Sequence, residues 1–150
     1  MDWRSHLIAS DKQISDVLHE TNRIAVLGIK SEAHRMQPAF YVPKYMQDGG
    51  YEIVPVPVYY PEVTEIMGEK VYRDLRDIPG EIDMVNVFRR AEDISKHTDE
   101  ILAAKPKSVW FQLGIRNDEA AETFAKAGIK VVQDRCLLVE HRALGQKRDH

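Results

Sequence analysis

Five cations follow apolar runs that read as strands. Lys30 and Arg35 come after Ile24-Ala25-Val26-Leu27 and its closing Gly28; Arg89 and Arg90 end the run that starts at Met84; Arg116 lies just past Ser108–Leu113 and Gly114. A glycine in that place takes backbone angles closed to other residues and lets a phosphate approach the main chain. Free N–H groups and the positive end of a following helix attract such an anion. Lys30 and Arg35 would add charge-assisted hydrogen bonds, roughly twice as strong as neutral ones. The chemistry indicated is recognition of a phosphate-bearing, nucleotide-like ligand. For any one cation taken alone, solvation of a loop is the plainer reading; their gathering argues otherwise, because the chain as a whole is acidic, with a net charge of −3.

Two familiar nucleotide signatures are missing. The loop Gly28-Ile29-Lys30-Ser31-Glu32-Ala33 carries only the first glycine of GxGxxG. The second strand ends in Pro55-Val56-Pro57-Val58, where an NAD site wants an acid for the ribose. The P-loop pattern is absent too. No Ser/His/Asp order or carboxylate pair has a catalytic context, so no catalytic residue is assigned. The one cysteine, Cys136, precludes an internal disulfide and a cysteine-built zinc site, and no metal ligand is assigned. It reads as a buried, inert thiol. His34 reads as a loop histidine within reach of a phosphate, and Glu140 with His141 as a surface pair. Tyr59 and Tyr60 have two readings, sandwiching a base or covering the core under a loop.

The elements that must position these residues alternate. Ser10 and Gln13 have capping-box spacing ahead of an amphipathic helix over 11–21. Apolar runs without alternation suit strands buried on both faces of a parallel sheet. They fall at Ile24–Leu27, Tyr51–Pro55, Met84–Phe88, Ser108–Leu113 and Ile129–Gln133. Helices are expected over 40–48, with Pro43 in the first turn, over 92–104 with a break near Thr98, from Asn117 to Ala127, and over 136–144. Val71–Arg73 is expected as a short strand or turn. Parallel neighbours need crossovers, which gives an α/β, three-layer, doubly wound, five-stranded parallel sheet of Rossmann-like type. Right-handed crossovers then bring all strand C-termini, and all five cations, to one edge. At 150 residues a single domain over 1–150 is expected, with 1–22 packing on it and 145–150 frayed.

Hydrophobic content of 43% with 30% charged residues is ordinary for a globular chain. The acidic balance argues against nucleic-acid binding. No stretch approaches the roughly 20 apolar residues of a membrane span, nor does the N-terminus read as a signal peptide, so a cytoplasmic location is expected.

In order and spacing, several segments resemble the small stand-alone CoA-binding domain proteins, relatives of the CoA-binding domain of succinyl-CoA synthetase α chains. They are Val26-Leu27-Gly28, Pro38, Tyr41–Tyr45, Gly50–Val56, Gly68–Tyr72, Val85–Arg90, Trp110–Gly114 and Val132–Cys136. The resemblance runs from about residue 20 to 142. It implies coenzyme A as the ligand, with Gly28 and the residues after it, Ile29, Lys30 and Ser31, at the pyrophosphate and Val56 bordering the adenine; Arg35 and Pro55 complete the expected binding residues on those two loops. Phe88, Arg89 and Arg90 would line the ligand, and Gln112 and Gly114 would close the floor. Many relatives have a Gly-Ala-Ser-Pro-like turn where this chain has Gly28-Ile29-Lys30-Ser31, so Lys30 places a long cation where a small residue is common. The implied function is non-catalytic binding of CoA or an acyl-CoA. The alternatives are an NAD(P)-binding oxidoreductase and the CoA-binding subunit of a multi-chain acyl-CoA synthetase. The implied partners are a second copy or an acyl-CoA-handling enzyme.

Overall fold

A computed structural model describes residues 2–145, so the frayed tail expected at 145–150 lies, from residue 146 on, outside the described residues. The chain runs α1 (Asp11–His19), β1 (Arg23–Leu27), α2 (Pro38–Asp48), β2 (Glu52–Val56), β3 (Glu65–Ile66), β4 (Glu69–Lys70) and β5 (Met84–Val87). It continues through α3 (Thr98–Ala104), β6 (Ser108–Phe111), α4 (Asp118–Lys126), β7 (Lys130–Val132) and α5 (Leu137–Leu144). The capping box forms as its spacing requires: Ser10 Oγ accepts from the Gln13 N–H at 3.2 Å, and Gln13 Oε1 accepts from the Ser10 N–H at 3.1 Å.

Five strands form one parallel sheet in the order β2-β1-β5-β6-β7. Alternate residues of each strand feed opposite cores, as a pleated strand must. Ile24, Val26, Met84, Trp110 and Val132 pack with residues of α1, α2 and α5, whereas Ala25, Leu27, Val85, Val87, Val109, Phe111 and Val131 pack with residues of α3 and α4. This is the expected three-layer α/β architecture. From β1 the chain crosses to β2 on one side and returns to β5 on the other. The strand order therefore reverses between β1 and β5, where open parallel sheets bind ligands.

Two local expectations are corrected. Val71–Arg73 is neither a strand nor a hydrogen-bonded turn; β3 and β4 pair antiparallel just before it, around Met67-Gly68, both at positive φ. Pro43 is not in the first turn of α2, because the helix starts at Pro38 and Pro43 lies inside it. An interior proline leaves the carbonyl four residues earlier without its helical donor. That carbonyl belongs to Ala39, and the backbone N–H of Lys30 donates to it at 3.1 Å. The vacancy in the helix ladder thus ties the loop after β1 to α2. The expected break near Thr98 is present, with a 3-10 segment over Ala91–His97 leading into α3.

Asp83 joins the starts of three strands. Its carboxylate accepts from the N–H groups of Asn22 and Arg23, each at 2.8 Å, and lies 3.4 Å from Lys107 Nζ. Burial alone would raise its pKa, but these donors and the lysine charge outweigh it and hold the carboxyl below its usual range. Asp74 is also lowered, by Arg76. A depressed folded pKa stabilises above the unfolded value, near 3.9, and that stabilisation disappears as pH falls through the folded value. Urea midpoints measured against pH should therefore be level above about pH 5 and fall below about pH 4, and Asp83→Asn should flatten the acid limb. An acid limb as steep in the variant as in the parent would remove Asp83 from the account.

Candidate ligand-binding site at the carboxyl edge of the sheet

Gly28 is the narrowest point of the edge. Its φ is +89°, its N–H donates to Val56 O at 2.8 Å, and a Cβ placed there would stand 2.3 Å from the carbonyl oxygen of Phe88. The loops after β1 and β5 cross at backbone contact, leaving room for hydrogen alone. Beyond the crossing, the Lys30 N–H is held by Ala39. Leading from there to α2, Gln37 supplies no side-chain cap to the helix. Pro38 has no N–H, and those of Phe40 and Tyr41 donate to Gln37 O at 2.9 and 3.0 Å, so this end keeps the Ala39 N–H and a positive dipole end for an anion.

Two adjoining clefts open on either side of the β5 loop. The first, about 230 Å³, lies between Gly28–Lys30, Val58–Tyr60 and Phe88–Arg90. The second, about 530 Å³, lies between the start of α2, residues 88–92 and residues 112–115. Phe88, Arg89 and Arg90 line both, so the two form one trough across the β1/β5 switch point.

The five edge cations are not equivalent. Arg116 pairs with Asp118 at 3.2 Å, and Arg90 with Asp93 at 3.0 Å. Arg35 reaches only the carbonyl of Glu32, at 3.4 Å. Lys30 Nζ makes no hydrogen bond or ion pair among the described residues, and it faces the first cleft. Of the five it is the one that lines the first cleft with no such partner, which leaves its charge to a ligand there.

Arg89 is 9% exposed and held on several sides. Its Nε donates to His97 Nε2 at 3.1 Å, one Nη donates to the Tyr59 hydroxyl at 3.3 Å, and the other lies 3.8 Å from Asp93. Because Arg89 donates to Nε2, the His97 proton sits on Nδ1 and is shared with Glu100 at 2.5 Å. Glu100 in turn accepts the Leu75 N–H at 2.9 Å. Lys96 and Arg90 hold the Asp93 carboxyl below its usual range. Arg89, by hydrogen bond and charge, does the same to the Tyr59 phenol. This network runs from the cleft to the excursion after β4. The sequence reading passed over Asp93, His97 and Glu100. A signal was present in the i,i+4 and i,i+3 spacing of Asp93, His97 and Glu100 within the expected helical stretch, with Arg89 just ahead of it.

The loop opposite is pinned as firmly. Arg73 donates to the carbonyls of Pro57, Tyr59, Tyr60 and Val63 at 3.5, 3.0, 2.7 and 2.7 Å. Tyr60 has φ +62°, a conformation that costs a non-glycine residue roughly 1–3 kcal/mol. Its ring lies 5.2 Å from that of His34.

A protein-family model described as "CoA binding domain" matches residues 22–142. The chain belongs to the CoA-binding domain family. A relative in Bacillus subtilis (strain 168), the uncharacterized protein YneT, is 38% identical over 132 residues, covering 88% of this chain and 94% of its own. Among solved structures, cell-free ID.343 from Thermus thermophilus is 38% identical with a TM-score of 0.82, over 91% of this chain and 99% of its own. A hypothetical protein from Pyrococcus horikoshii OT3 is 30% identical with a TM-score of 0.80, over 91% and 92%.

Within this CoA-binding domain, the residues singled out from sequence divide three ways. Gly28, Ile29, Lys30, Phe88, Arg89 and Arg90 come together in the first cleft, and Gln112 and Gly114 line the second. The Ile29 side chain is in the core, so its share is main chain. Gln112 Oε1 accepts from Asn86 Nδ2 at 3.3 Å and from the Leu137 N–H at 3.4 Å, tying the floor together. Arg35 lines a different pocket, with Glu32, Phe40, Lys44, Met67 and Gly68. Ser31 lines neither cleft, and Pro55 and Val56 are buried within the sheet. The residues just beyond them, Val58–Tyr60, are the ones that reach the cleft, because the loop folds back over Gly28 after β2 ends.

Proposed function

We propose that this chain binds coenzyme A or an acyl-CoA in the paired clefts and holds it without transforming it. The observation that carries the reading is the crossing of Gly28 and Phe88 with the unpaired Lys30 beside it, in a chain of the CoA-binding family. The residues present suit the ligand. A main chain without side-chain cover, an uncapped helix end and a free cation fit a pyrophosphate. The apolar residues lining the second cleft, Pro38, Ala39, Phe88, Leu113 and Ile115, fit an uncharged pantetheine arm. The polar groups that line the clefts are cations, the phenols of Tyr59 and Tyr60, amides, main chain and one carboxylate, Glu92, which stands 3.8 Å from Arg90.

Titration calorimetry with CoA, acetyl-CoA, NAD and NADP tests this. CoA or acetyl-CoA should bind saturably with one-to-one stoichiometry, and the nicotinamide nucleotides should not. Micromolar NAD binding with no heat from CoA would overturn the reading.

A further inference from the structure

We propose that Tyr59 is the stacking platform for the adenine base of the bound ligand, an inference that rests on the CoA reading above. Neither Pro55 nor Val56, buried in the sheet, presents a side chain to the cleft. Tyr59 lines that cleft together with Gly28–Lys30, and its residue is 58% exposed. An aromatic that served only as core cover would be buried, since its contribution comes from apolar area removed from water.

Tyr59 is nonetheless held in place. Its hydroxyl accepts from Arg89, whose guanidinium carbon lies 5.7 Å from its ring centroid, and its own carbonyl is gripped by Arg73. The strained φ of Tyr60 turns the chain immediately after it. The Tyr60 ring is engaged elsewhere, against His34, and meets Tyr59 only edge-on at 6.4 Å. So the loop restrains an exposed aromatic ring beside a phosphate-binding turn, at a cost in strain and with little burial in return. A flat, apolar, electron-rich base is the ligand part that such a ring takes. Stacking accepts any base, so Tyr59 contributes affinity for the nucleoside end of CoA.

The variants Tyr59→Phe and Tyr59→Leu separate this from a loop-bracing role. Phenylalanine keeps the ring and loses the bond to Arg89; leucine keeps apolar bulk and loses the π face. Stacking on an aromatic contributes about 1–3 kcal/mol per base, so Tyr59→Leu should weaken CoA binding about 5- to 150-fold, with Tyr59→Phe close to the parent. At saturating CoA, difference spectra should show reduced adenine absorption with the parent and Tyr59→Phe, and none with Tyr59→Leu. Tyr59→Leu binding CoA as tightly as the parent, or keeping the adenine hypochromism, would overturn the proposal. So would equal losses in both variants, which would mark Tyr59 as a brace acting through Arg89. Parent protein that fails to bind CoA at all gives a distinct pattern, and removes the functional reading together with this one.

Discussion

Replacing Gly28 with alanine should destabilise the protein by about 2–4 kcal/mol and abolish binding of CoA. Two separate effects add. At φ +89° an L side chain is strained, which by itself costs about 1–2 kcal/mol. The new methyl would also stand 2.3 Å from the Phe88 carbonyl oxygen, a backbone atom that no rotamer change can clear. The loops after β1 and β5 would have to separate, opening the crossing on which the proposed phosphate site depends. Gly114 supplies the control. It too has positive φ, +86°, but a Cβ there meets nothing within 4 Å. Gly114→Ala should therefore carry only the strain, about 1–2 kcal/mol. Urea denaturation and calorimetry on the two variants measure the difference directly. Equal destabilisation would mean that the β1 and β5 loops are not in tight contact.

Arg89→Ala and Arg90→Ala, adjacent in sequence, should behave as opposites. Arg89 is buried among His97, Tyr59 and Asp93, and its removal leaves polar groups facing an empty space. Breaking a buried pair by deleting one member costs about 3–5 kcal/mol, and because Lys96 and Arg90 still serve Asp93 the expected loss is nearer 2–4 kcal/mol. Arg90 has a side chain that is 74% exposed; its pair with the exposed Glu92 is worth little in water, and the buried Asp93 that it also reaches keeps Lys96 and Arg89 when Arg90 is removed. Arg90→Ala should leave the melting temperature of the ligand-free protein unchanged and reduce the rise that CoA produces. Thermal melts with and without CoA distinguish the two. If Arg89→Ala melts like the parent without ligand, the buried network does not hold the loop of Tyr59 in the way its distances indicate.

The architecture was legible because each strand is an apolar run long enough to be buried on both faces and closed by a glycine, a proline or polar residues. Ile24–Leu27 and Ser108–Phe111 are the clearest cases, and no partner need be known to read them. The boundaries shifted where a long-range partner decides. Pro43 was expected to require a helix start near residue 40. It sits inside α2 instead, because Lys30 supplies the donor to Ala39 that a helix lacks at an interior proline. No local window contains that partner.

By itself, the sequence determined that an α/β sheet would form, that Gly28 would stand at its carboxyl edge, that cations would gather there, and that the strand-two end carries no acid for an NAD ribose. These follow from residue type and from distances along the chain. Only the tertiary structure decided what each cation does. Lys30 is left unpaired, Arg90 reaches down to the buried carboxylate of Asp93, Arg116 has the exposed one of Asp118, and Arg89 is sunk into a network reaching Glu100 and Leu75. It also decided that Val58–Tyr60, rather than Pro55 and Val56, reach the cleft. The reason is physical. Burial and partner are properties of a side chain's direction once the crossovers have brought β1 and β5 together, and that direction is set by residues far away in the chain.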